Sequence, residues 1–316
     1  MTLPRITIVT PSFNQGEFLE ETICSVLDQG YRNLEYMVID GGSTDDSAKI
    51  IARYSKYLAY HTSEKDNGQA AAINKGLRRM TGDFFNWINS DDLLEPGALD
   101  CIAELSKQHP DAKLLIGATR FFGGDNGLRK SGRIVFDDAE TTIGFGHMNQ
   151  PGMFYRSDAL RAMGELREEL YACMDLDWWI RYLLLFGTAN IAQTEQTVAA
   201  FRLHDAAKTS SAPERFEKEK VLLYRSLFES YGYPDMDDLL PPVAKAIRYE
   251  FNKNFDVERC FDHYCLWNAD YLSLNNQRKK AGRFLKEVRF LRLNAAMKKR
   301  YLAVQLRLKG IKKAPR

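Results

Sequence analysis

The stretch that decides the fold is Phe84-Phe85-Asn86-Trp87-Ile88, followed directly by Asn89-Ser90-Asp91-Asp92. The first five residues predict a short buried strand, and the next four are small, polar or acidic. Such a strand delivers carboxylates to the carboxyl edge of a sheet, where ligands bind in open α/β folds. Adjacent aspartates repel each other unless a cation lies beside them, and their oxygens suit Mg²⁺ or Mn²⁺. A plainer interpretation stays open here: one carboxylate caps the helix that begins near Pro96, or ends the strand.

Upstream of this stretch, strand and helix patterns alternate. Apolar and β-branched runs predict strands over 6–10, 34–39 and 58–62, and helical periodicity predicts helices over 18–27, 48–54 and 68–80. This alternation predicts an α/β fold with a Rossmann-like, mostly parallel sheet flanked by helices. A dinucleotide-binding protein would carry G-x-G-x-x-G after its first strand, and the different sequence over 10–16 argues against a dehydrogenase.

The pattern changes after residue 95. We expect a helix over 96–107, strands over 113–117, 151–155 and 198–203, a hairpin tip over 122–127 with a return over 133–136, and a helix opening at Cys173. The stretch 137–149 lacks periodicity and predicts a loop over the site. From Pro213 onward the residues predict helices, broken near 232–234 and 241–242.

Composition indicates an ordinary globular protein. The 316 residues are 45% hydrophobic and 27% charged, and no apolar run approaches the roughly 18 residues of a membrane span. The N-terminus runs straight into a strand, so we expect no secretory signal. Five cysteines without a CxxC pair indicate reduced thiols and a cytoplasmic protein.

The net charge of +2 hides an asymmetry. Residues 276–316 hold 15 Lys and Arg against one acid, Glu287, whereas residues 1–275 carry a net charge of −12. An apolar stripe with flanking cations predicts a basic amphipathic helix: Phe284, Val288, Leu291 and Ala295, with Arg283, Lys286, Arg289 and Arg292. This tail predicts contact with an anionic membrane surface, and the alternative is packing on neighbouring helices. The charge alone would allow nucleic acid binding, but nothing else in the sequence supports it.

Four motifs, each after a predicted strand or opening a predicted helix, carry a family likeness. They are Ile8–Asn14 (IVTPSFN), Val38–Asp45 (VIDGGSTD), Asn67–Gly76 (NGQAAAINKG) and Trp87–Asp92 (WINSDD). Together, over about residues 5–209, they resemble glycosyltransferase family 2, with its GT-A fold.

The resemblance implies a nucleotide-sugar donor, usually UDP-linked, a divalent metal such as Mn²⁺ or Mg²⁺, and inversion at the anomeric carbon. It implies that Asp40 accepts a hydrogen bond from the base. The residues that it assigns to the nucleotide pocket are Thr10, Pro11, Phe13, Asn14, Asp40, Gly42, Lys65, Asp66, Gly68, Gln69, Asn74, Ser90 and Asp91.

The resemblance also assigns the metal and the base. Asp91 matches the dependable metal ligand of the D-x-D turn, although the first acid of that turn is Asn89 here. His204 matches a second metal ligand or a diphosphate contact, and Asp175 matches the general base. Without the family, a helix N-cap would be the plainer interpretation of Asp175 or Asp177.

We predict a GT-A domain over 1–212, with a nucleotide-binding half (1–94) and an acceptor half (95–212), and a helical region over 213–316. The acceptor is expected to be a hydroxyl of a polysaccharide or lipid-linked glycan precursor, as in cell-envelope polysaccharide synthesis. Candidate acceptor residues are His147, Gln150, Asp177 and Trp178. The protein would then work in the cytoplasm, on the inner face of the membrane.

Two other functions stay open. A catalytically weak nucleotide-sugar-binding scaffold of the same fold would be consistent with Asn89. A sugar nucleotidyltransferase would need a Gly-rich loop with Arg or Lys after the first strand, and that loop is absent from the sequence.

Overall fold

The computed structural model describes residues 3–123, 129–132, 134–205, 207–233 and 236–311. The chain divides into two compact units. The first comprises residues 1–133, 148–182 and 189–217, and the second comprises 134–147, 183–188 and 218–316. Two segments of the predicted first domain, 134–147 and 183–188, therefore belong to the second unit.

The first unit is built on one mixed sheet. Its strands are β1 (Ile6–Ser12), β2 (Leu34–Asp40), β3 (Tyr60–Ser63), β4 (Phe84–Trp87), β5 (Leu93–Leu94), β6 (Leu114–Phe122), β7 (Arg129–Lys130), β8 (Met153–Arg156) and β9 (Ile191–Arg202). Their order is β3-β2-β1-β4-β8-β6-β9-β5, and β7 pairs with β6. The four strands β3, β2, β1 and β4 are mutually parallel, so their carboxyl ends share one edge.

The periodicity correctly predicts four helices in the first half of the chain: α1 (Gly16–Leu27), α2 (Ser47–Tyr54), α3 (Gln69–Leu77) and α4 (Ala98–Gln108). Between β8 and β9 lie α6 (Ser157–Met163) and α7 (Met174–Phe186), and after β9 come α8 (Lys208–Ser211) and α9 (Pro213–Ser230). Fully buried Leu19 and Ile23 of α1 belong to the same core cluster as Ile6 and Ile8 of β1. This apolar contact fixes the β1–α1 turn at the carboxyl edge.

Helix α3 packs closely on the sheet because of a glycine. A Cβ atom at Gly76 would lie 2.4 Å from Cγ2 of Val9, a fully buried residue of β1. Only a residue without a side chain lets the helix approach the strand at this distance. The helix begins at Gln69, so the Gly76–Val9 contact also determines where the polar end of α3 lies.

The region 134–149 differs from the prediction. Residues 139–145 form helix α5 (Ala139–Phe145), with Asp138 accepting a hydrogen bond from Thr141 N at 2.7 Å and Gly146 ending it at φ +64°. The predicted loop was wrong because a short capped helix needs no long apolar period. The predicted strand over 133–136 was also wrong, since 134–136 are not in a strand. Most of the predicted hairpin tip lies outside the described residues.

The second unit is helical. Besides α5 it contains most of α9, from residue 218 onward, together with α10 (Val257–Leu274), α11 (Arg278–Glu287) and α12 (Ala295–Leu308). Four arginines from the basic tail form ion pairs with acids of α10: Arg289 and Arg292 with Glu258, Arg289 also with Asp262, and Arg300 and Arg307 with Asp270. The predicted continuous amphipathic helix was wrong, because α11 ends at Glu287, Val288 is buried and Leu291 is 88% exposed.

Two other findings bear on the sequence predictions. All five cysteines are free thiols in the structure. Within the described ranges, every helix is too short or too polar to cross a bilayer.

We predict that Gly76→Ala lowers the free energy of unfolding by about 1–3 kcal/mol, because the new methyl group collides with Val9 and overpacks the core. Urea unfolding at equilibrium measures this change.

The matched control is Gly282→Ala in α11, where a Cβ atom meets nothing within 4 Å. That variant should gain about 0.5–1 kcal/mol, since alanine favours the helix. Equal changes in the two variants would show that α3 does not depend on the close contact.

Candidate active site

Two loops meet at the carboxyl edge of the parallel strands. Asn14, which follows β1 at φ +52°, donates its backbone N–H to Ser43 Oγ at 2.7 Å, and its Oδ1 accepts from Thr44 N at 2.8 Å. These bonds hold the turn after β1 against the loop after β2. Asn tolerates this left-handed conformation better than most residues do. Asn14 therefore shapes the edge of the site, with its side-chain oxygen already engaged.

Asp40, at the end of β2, is fully buried and its carboxylate is engaged within the chain. Oδ2 accepts from Gly42 N (3.2 Å), Ser43 N (2.9 Å) and Ser63 Oγ (2.6 Å), and Oδ1 accepts from Ser43 Oγ (2.5 Å). Three of these bonds reach Oδ2 and one reaches Oδ1, so Asp40 organises the turn over 41–43. A hydrogen bond from the base to Asp40 stays a prediction.

A second carboxylate lies next to this turn. A Cβ atom at Gly41 would lie 3.0 Å from Oδ1 of Asp66, so the Asp66 carboxylate occupies the space that a side chain at position 41 would take. Oδ1 also accepts from Gly68 N at 2.8 Å, which fixes the orientation of the group. Asp66 is half-buried.

Other nucleotide-pocket candidates differ in exposure. Phe13 is 61% exposed at the sheet edge. Its ring offers a flat apolar surface on which a nucleotide base can stack. Lys65 and Gly68 are also exposed. Thr10 is fully buried with its hydroxyl 3.0 Å from Tyr36 OH. Thr10 and Pro11 are both buried, and their part in the nucleotide pocket stays a prediction.

Two predicted residues support the pocket from behind it. Gly42 adopts φ +82° and packs so closely that a Cβ atom would lie 3.0 Å from Lys65 N. Asn74 is fully buried, donates Nδ2 to Leu166 O at 2.9 Å and accepts from Leu166 N at 2.9 Å. The assignment of Asn74 to the nucleotide was wrong, because both ends of its amide bind the chain around residue 166.

The predicted metal residues are brought together from distant parts of the chain. Oδ2 of Asp91, in the turn after β4, lies 3.0 Å from Nε2 of His204, which follows β9, and the two residues are 113 positions apart. Their side chains are 18% and 15% exposed, so both reach solvent from a shielded position. The His204 ring also packs on Phe18 with 4.8 Å between ring centroids.

The turn that carries Asp91 is held by residues outside the motifs. Thr22 Oγ1 of α1 donates to both Ser90 O (2.9 Å) and Asp92 O (2.8 Å). Arg202 donates Nε to Asp91 O at 3.0 Å and its backbone N–H to Asp92 Oδ1 at 3.0 Å. Sequence reasoning missed Thr22, because a threonine on the buried face of a helix gives no signal by itself.

Asn89 has a structural reason to be neutral. Its Nδ2 donates to Asp92 Oδ2 at 3.0 Å, and its Oδ1 accepts from Gln69 Nε2 at 2.6 Å. Burial, reinforced by the charge of Asp91, raises the pKa of Asp92 well above its ordinary value. A carboxylate at position 89 would replace this donor with a third negative group beside two others.

The pair Asp91–His204 fits a divalent ion that is completed by a ligand. Within the described residues, three His, Cys, Asp or Glu side chains never gather into a cage of their own. Mg²⁺ and Mn²⁺ are commonly held by one or two side chains together with phosphate oxygens. An oxygen and an imidazole nitrogen suit Mn²⁺ well, and the remaining ligands would come from a bound diphosphate and water.

Asp175 lies in the first turn of α7 and is half-buried. Its Oδ1 accepts from Leu176 N at 2.7 Å. The helix dipole favours an ionised carboxylate at this end. Burial, and to a lesser degree the charge of Asp175, raises the pKa of Tyr155 in β8.

Three of the four acceptor candidates are interior residues. Asp177 is fully buried and paired with Arg181 at 2.8 Å, and Trp178 is fully buried with Nε1 donating to Gly164 O at 3.0 Å. Gln150 is buried and donates Nε2 to Asn86 Oδ1 and Trp87 O, both at 2.8 Å. These assignments were wrong, because the side chains present no surface to an acceptor.

The fourth candidate, His147, lies in the second unit. Its ring stacks on Phe145 with centroids 4.6 Å apart, and burial together with the charge of Lys220 lowers its pKa. An acceptor role for His147 stays a prediction.

Comparison with known proteins identifies the family. The model for "Glycosyl transferase family 2" matches residues 7–164, half of the chain. The protein belongs to glycosyl transferase family 2. The match contains β1 to β4, the Asp40 turn, Asp66 and the turn that carries Asp91. The predicted family and the GT-A-like α/β fold are confirmed, and the protein is a nucleotide-sugar glycosyltransferase.

Individual relatives agree with this placement. An uncharacterized glycosyltransferase of Rickettsia typhi is 23% identical over 69% of this chain and 70% of its own length. Staphylococcus aureus TarS 1–349, in complex with UDP-GlcNAc, has a TM-score of 0.64 at 16% identity, covering 98% of this chain and 93% of that one. The Pyrobaculum calidifontis mannosyltransferase PcManGT, in complex with GDP-Man and Mn²⁺, has a TM-score of 0.57 at 18% identity, covering 98% and 82%. Membership of this family argues against the sugar nucleotidyltransferase alternative.

We predict that Asn89→Asp lowers the free energy of unfolding by about 1–3 kcal/mol near neutral pH, because it replaces the donor to Asp92 with a like charge. The loss should shrink as the pH falls to about 5, since a carboxyl whose folded pKa is raised takes up a proton and the repulsion disappears. Thermal unfolding at the two pH values measures this difference.

The matched control is Asn33→Asp, which likewise adds one negative charge and removes one amide donor. The lost bond, from Asn33 Nδ2 to Leu3 O at 2.9 Å, lies at a partly exposed position. A pH-independent loss at position 89, equal to that of the control, would contradict the role assigned to Asn89.

Proposed function

We propose that this glycosyltransferase is metal-dependent and inverting, and that it transfers a sugar from a UDP-linked donor to a hydroxyl acceptor. The observation that carries the proposal is the 3.0 Å approach of Asp91 and His204 at the carboxyl edge of the sheet. A divalent ion held by this pair would neutralise charge on the departing diphosphate as a Lewis acid. Asp91 and His204 would hold such an ion in place and orient the donor against the sheet edge.

The base of the nucleotide is assigned to Asp66 and Phe13. The exposed Phe13 ring offers a stacking surface, and the Asp66 carboxylate beside Gly41 offers an acceptor. A carboxylate acceptor suits a base with a ring N–H, which uracil, thymine and guanine have and cytosine and adenine lack. This chemistry supports a UDP-, TDP- or GDP-linked donor over a CDP- or ADP-linked one, and the family likeness favours UDP among the three.

Asp175 is assigned as the general base. The half-buried carboxylate lies at the N-terminus of α7, where the helix dipole favours negative charge, and it accepts a bond from Leu176 N. It would take the proton from the acceptor hydroxyl as that oxygen attacks the anomeric carbon. Attack from the face opposite the diphosphate inverts the configuration at that carbon.

We predict that one nucleoside diphosphate, with Mn²⁺, raises the unfolding temperature of the wild-type protein. The panel is UDP, GDP, CDP, TDP and ATP, and UDP should give the largest shift. A ligand at about 100 times its dissociation constant adds roughly 2.7 kcal/mol of stability. Asp91→Asn should lose the metal-dependent part of the shift, while Asp175→Asn should keep the whole shift and lose transfer or donor hydrolysis.

The two variants are isosteric with the wild type, so they control for each other. Unchanged donor turnover in both would contradict the proposed mechanism. Full nucleotide binding with no transfer to any acceptor, already in the wild type, would favour the catalytically weak binding protein instead.

We further propose that the acceptor is a polysaccharide or lipid-linked glycan, and that the second unit holds the enzyme on the inner face of an anionic membrane. Twelve Lys and Arg residues are described from 278 to 309, and four arginines among them pair with acids of α10. Within the described part of the chain, the other eight have no ion pair: Arg278, Lys279, Lys280, Arg283, Lys286, Lys298, Lys299 and Lys309.

These free cations share their surface with exposed apolar side chains. Lys279, Arg283 and Lys286 follow the i, i+4, i+7 spacing and lie on the face of α11 opposite the buried residues Ala281 and Leu285. Like charges at this spacing destabilise a helix unless an anion lies against them. Two leucines close to α11 in the sequence are exposed, Leu291 at 88% and Leu302 at 47%. Exposed apolar side chains of this kind can enter the lipid headgroup region. A surface of cations with protruding leucines favours lipid over nucleic acid.

We predict that the wild-type protein sediments with vesicles of equal parts phosphatidylcholine and phosphatidylglycerol, and not with phosphatidylcholine alone. The triple variant Lys279→Gln, Arg283→Gln, Lys286→Gln should bind about a hundredfold more weakly, since each surface cation contributes about 1 kcal/mol.

The matched control is the triple variant Arg32→Gln, Lys56→Gln, Arg161→Gln, which removes the same charge from exposed positions of the first unit. It should bind vesicles like the wild type. Equal losses in the two triple variants, or stronger binding to duplex DNA than to vesicles, would contradict a lipid-facing surface on α11.

A further inference from the structure

One cation in the first unit is held in a fixed position beside the metal turn. Nζ of Lys208 donates to Gln69 Oε1 at 2.6 Å and to Tyr171 O at 3.5 Å, and it lies 4.4 Å from the centroid of the Tyr171 ring. A lysine side chain normally samples many conformations, so a hydrogen bond and a ring contact together represent a strong restraint. Lys208 lies outside all four family motifs quoted above, and its sequence context gives no signal of this arrangement.

The partner of Lys208 leads directly to the turn that carries Asp91. Gln69 accepts from Lys208 through Oε1 and donates Nε2 to Asn89 Oδ1 at 2.6 Å. Asn89 in turn donates to the buried carboxylate of Asp92 at 3.0 Å. Two hydrogen bonds therefore separate the ammonium group from the residue that begins the acidic turn.

This series of hydrogen bonds explains why amide side chains occupy positions 69 and 89. Gln69 needs an acceptor for the ammonium and a donor for Asn89, and its amide supplies both. Asn89 needs an acceptor for Gln69 and a donor for Asp92. The two amides thus orient the ammonium relative to the turn without placing a further negative charge between them.

A nucleoside diphosphate keeps negative charge after one divalent ion has bound it. Lysine is a compact cation that commonly binds phosphate oxygens, often beside a metal ion. Lys208 is tied to the same turn as Asp91, which the proposed function assigns to the metal and its diphosphate.

We propose that Lys208 is a diphosphate-binding residue of the donor site, which complements the metal at Asp91 and His204 and stabilises the leaving group. This inference rests on the proposed function. Gln69 and Tyr171 are positioning residues that hold the ammonium. The interaction is electrostatic, so it acts on the diphosphate and leaves recognition of the nucleoside unaffected.

The test compares the binding of UDP, uridine and inorganic pyrophosphate by calorimetry, with Mn²⁺ present, in the wild type and in Lys208→Gln. A hydrogen bond to a charged group corresponds to roughly a tenfold to hundredfold change in affinity. UDP and pyrophosphate should bind that much more weakly to Lys208→Gln, and uridine should bind equally to both proteins. Lys208→Arg should recover part of the loss.

Two controls separate this role from a structural one. Lys107→Gln removes a partly exposed lysine that pairs with Glu104 on α4, and it should leave all three affinities unchanged. Tyr171→Leu removes the ring below the ammonium and should weaken UDP and pyrophosphate binding less than Lys208→Gln does.

The outcomes distinguish the inference from the proposed function. If UDP bound to Lys208→Gln as tightly as to the wild type, the inference would be overturned and the proposed function would stay intact. An equal loss for uridine and UDP would also overturn it, since that indicates a damaged pocket. If the wild type bound neither UDP, GDP nor pyrophosphate, both the proposed function and the inference would be overturned.

Discussion

The buried carboxylate of Asp92 is the interaction on which the site depends. It accepts bonds from the backbone of Arg202 and from the side chain of Asn89, and these join the end of β9 to the turn after β4. Because a buried carboxylate is costly without such donors, the two strand ends are held together. Asp91 and His204, which flank these contacts in the sequence, are thereby brought within 3.0 Å of each other.

Burial and hydrogen bonding separate scaffold residues from candidate ligand-binding residues at the sheet edge. Asp40 and Asn74 are fully buried, and Gln150 nearly so, and their polar groups are engaged by the chain itself. They fix the loops after β2 and β4 and the segment around residue 166. Asp66, Phe13, Asp91 and His204 keep a face or an atom directed away from the interior. The site is therefore a small set of available groups on a heavily hydrogen-bonded frame.

Much of the first unit could be predicted from the sequence. The strands β1 to β4 and the helices between them follow directly from apolar periodicity, and polar residues at strand ends pointed to the correct edge of the sheet. The pairing of Asp91 with His204 required the family likeness, because the two residues are far apart in the chain. Helix α5 was missed because it is short and its stability comes from the Asp138 cap and tertiary packing, which leave no long period in the sequence.

The predictions that failed share one cause. A carboxylate or amide next to a motif looks the same in the sequence whether it faces a ligand or binds the backbone. Asp177 and Gln150 have suitable chemistry, but burial and partners decide their role. The basic tail shows the same limit: counting charges could not separate the four arginines that pair with α10 from the lysines and arginines that form no ion pair in the described residues.

The most direct test of the metal-dependent donor site is an electron paramagnetic resonance titration of Mn²⁺ with the wild type, His204→Ala and Asp91→Asn, each with and without UDP. We expect tight Mn²⁺ binding by the wild type only when UDP is present, because the two side chains need phosphate oxygens to complete the coordination. Both variants should lose this UDP-dependent binding. Mn²⁺ binding that is indifferent to UDP, or that persists in both variants, would contradict the assignment of Asp91 and His204 as the metal ligands.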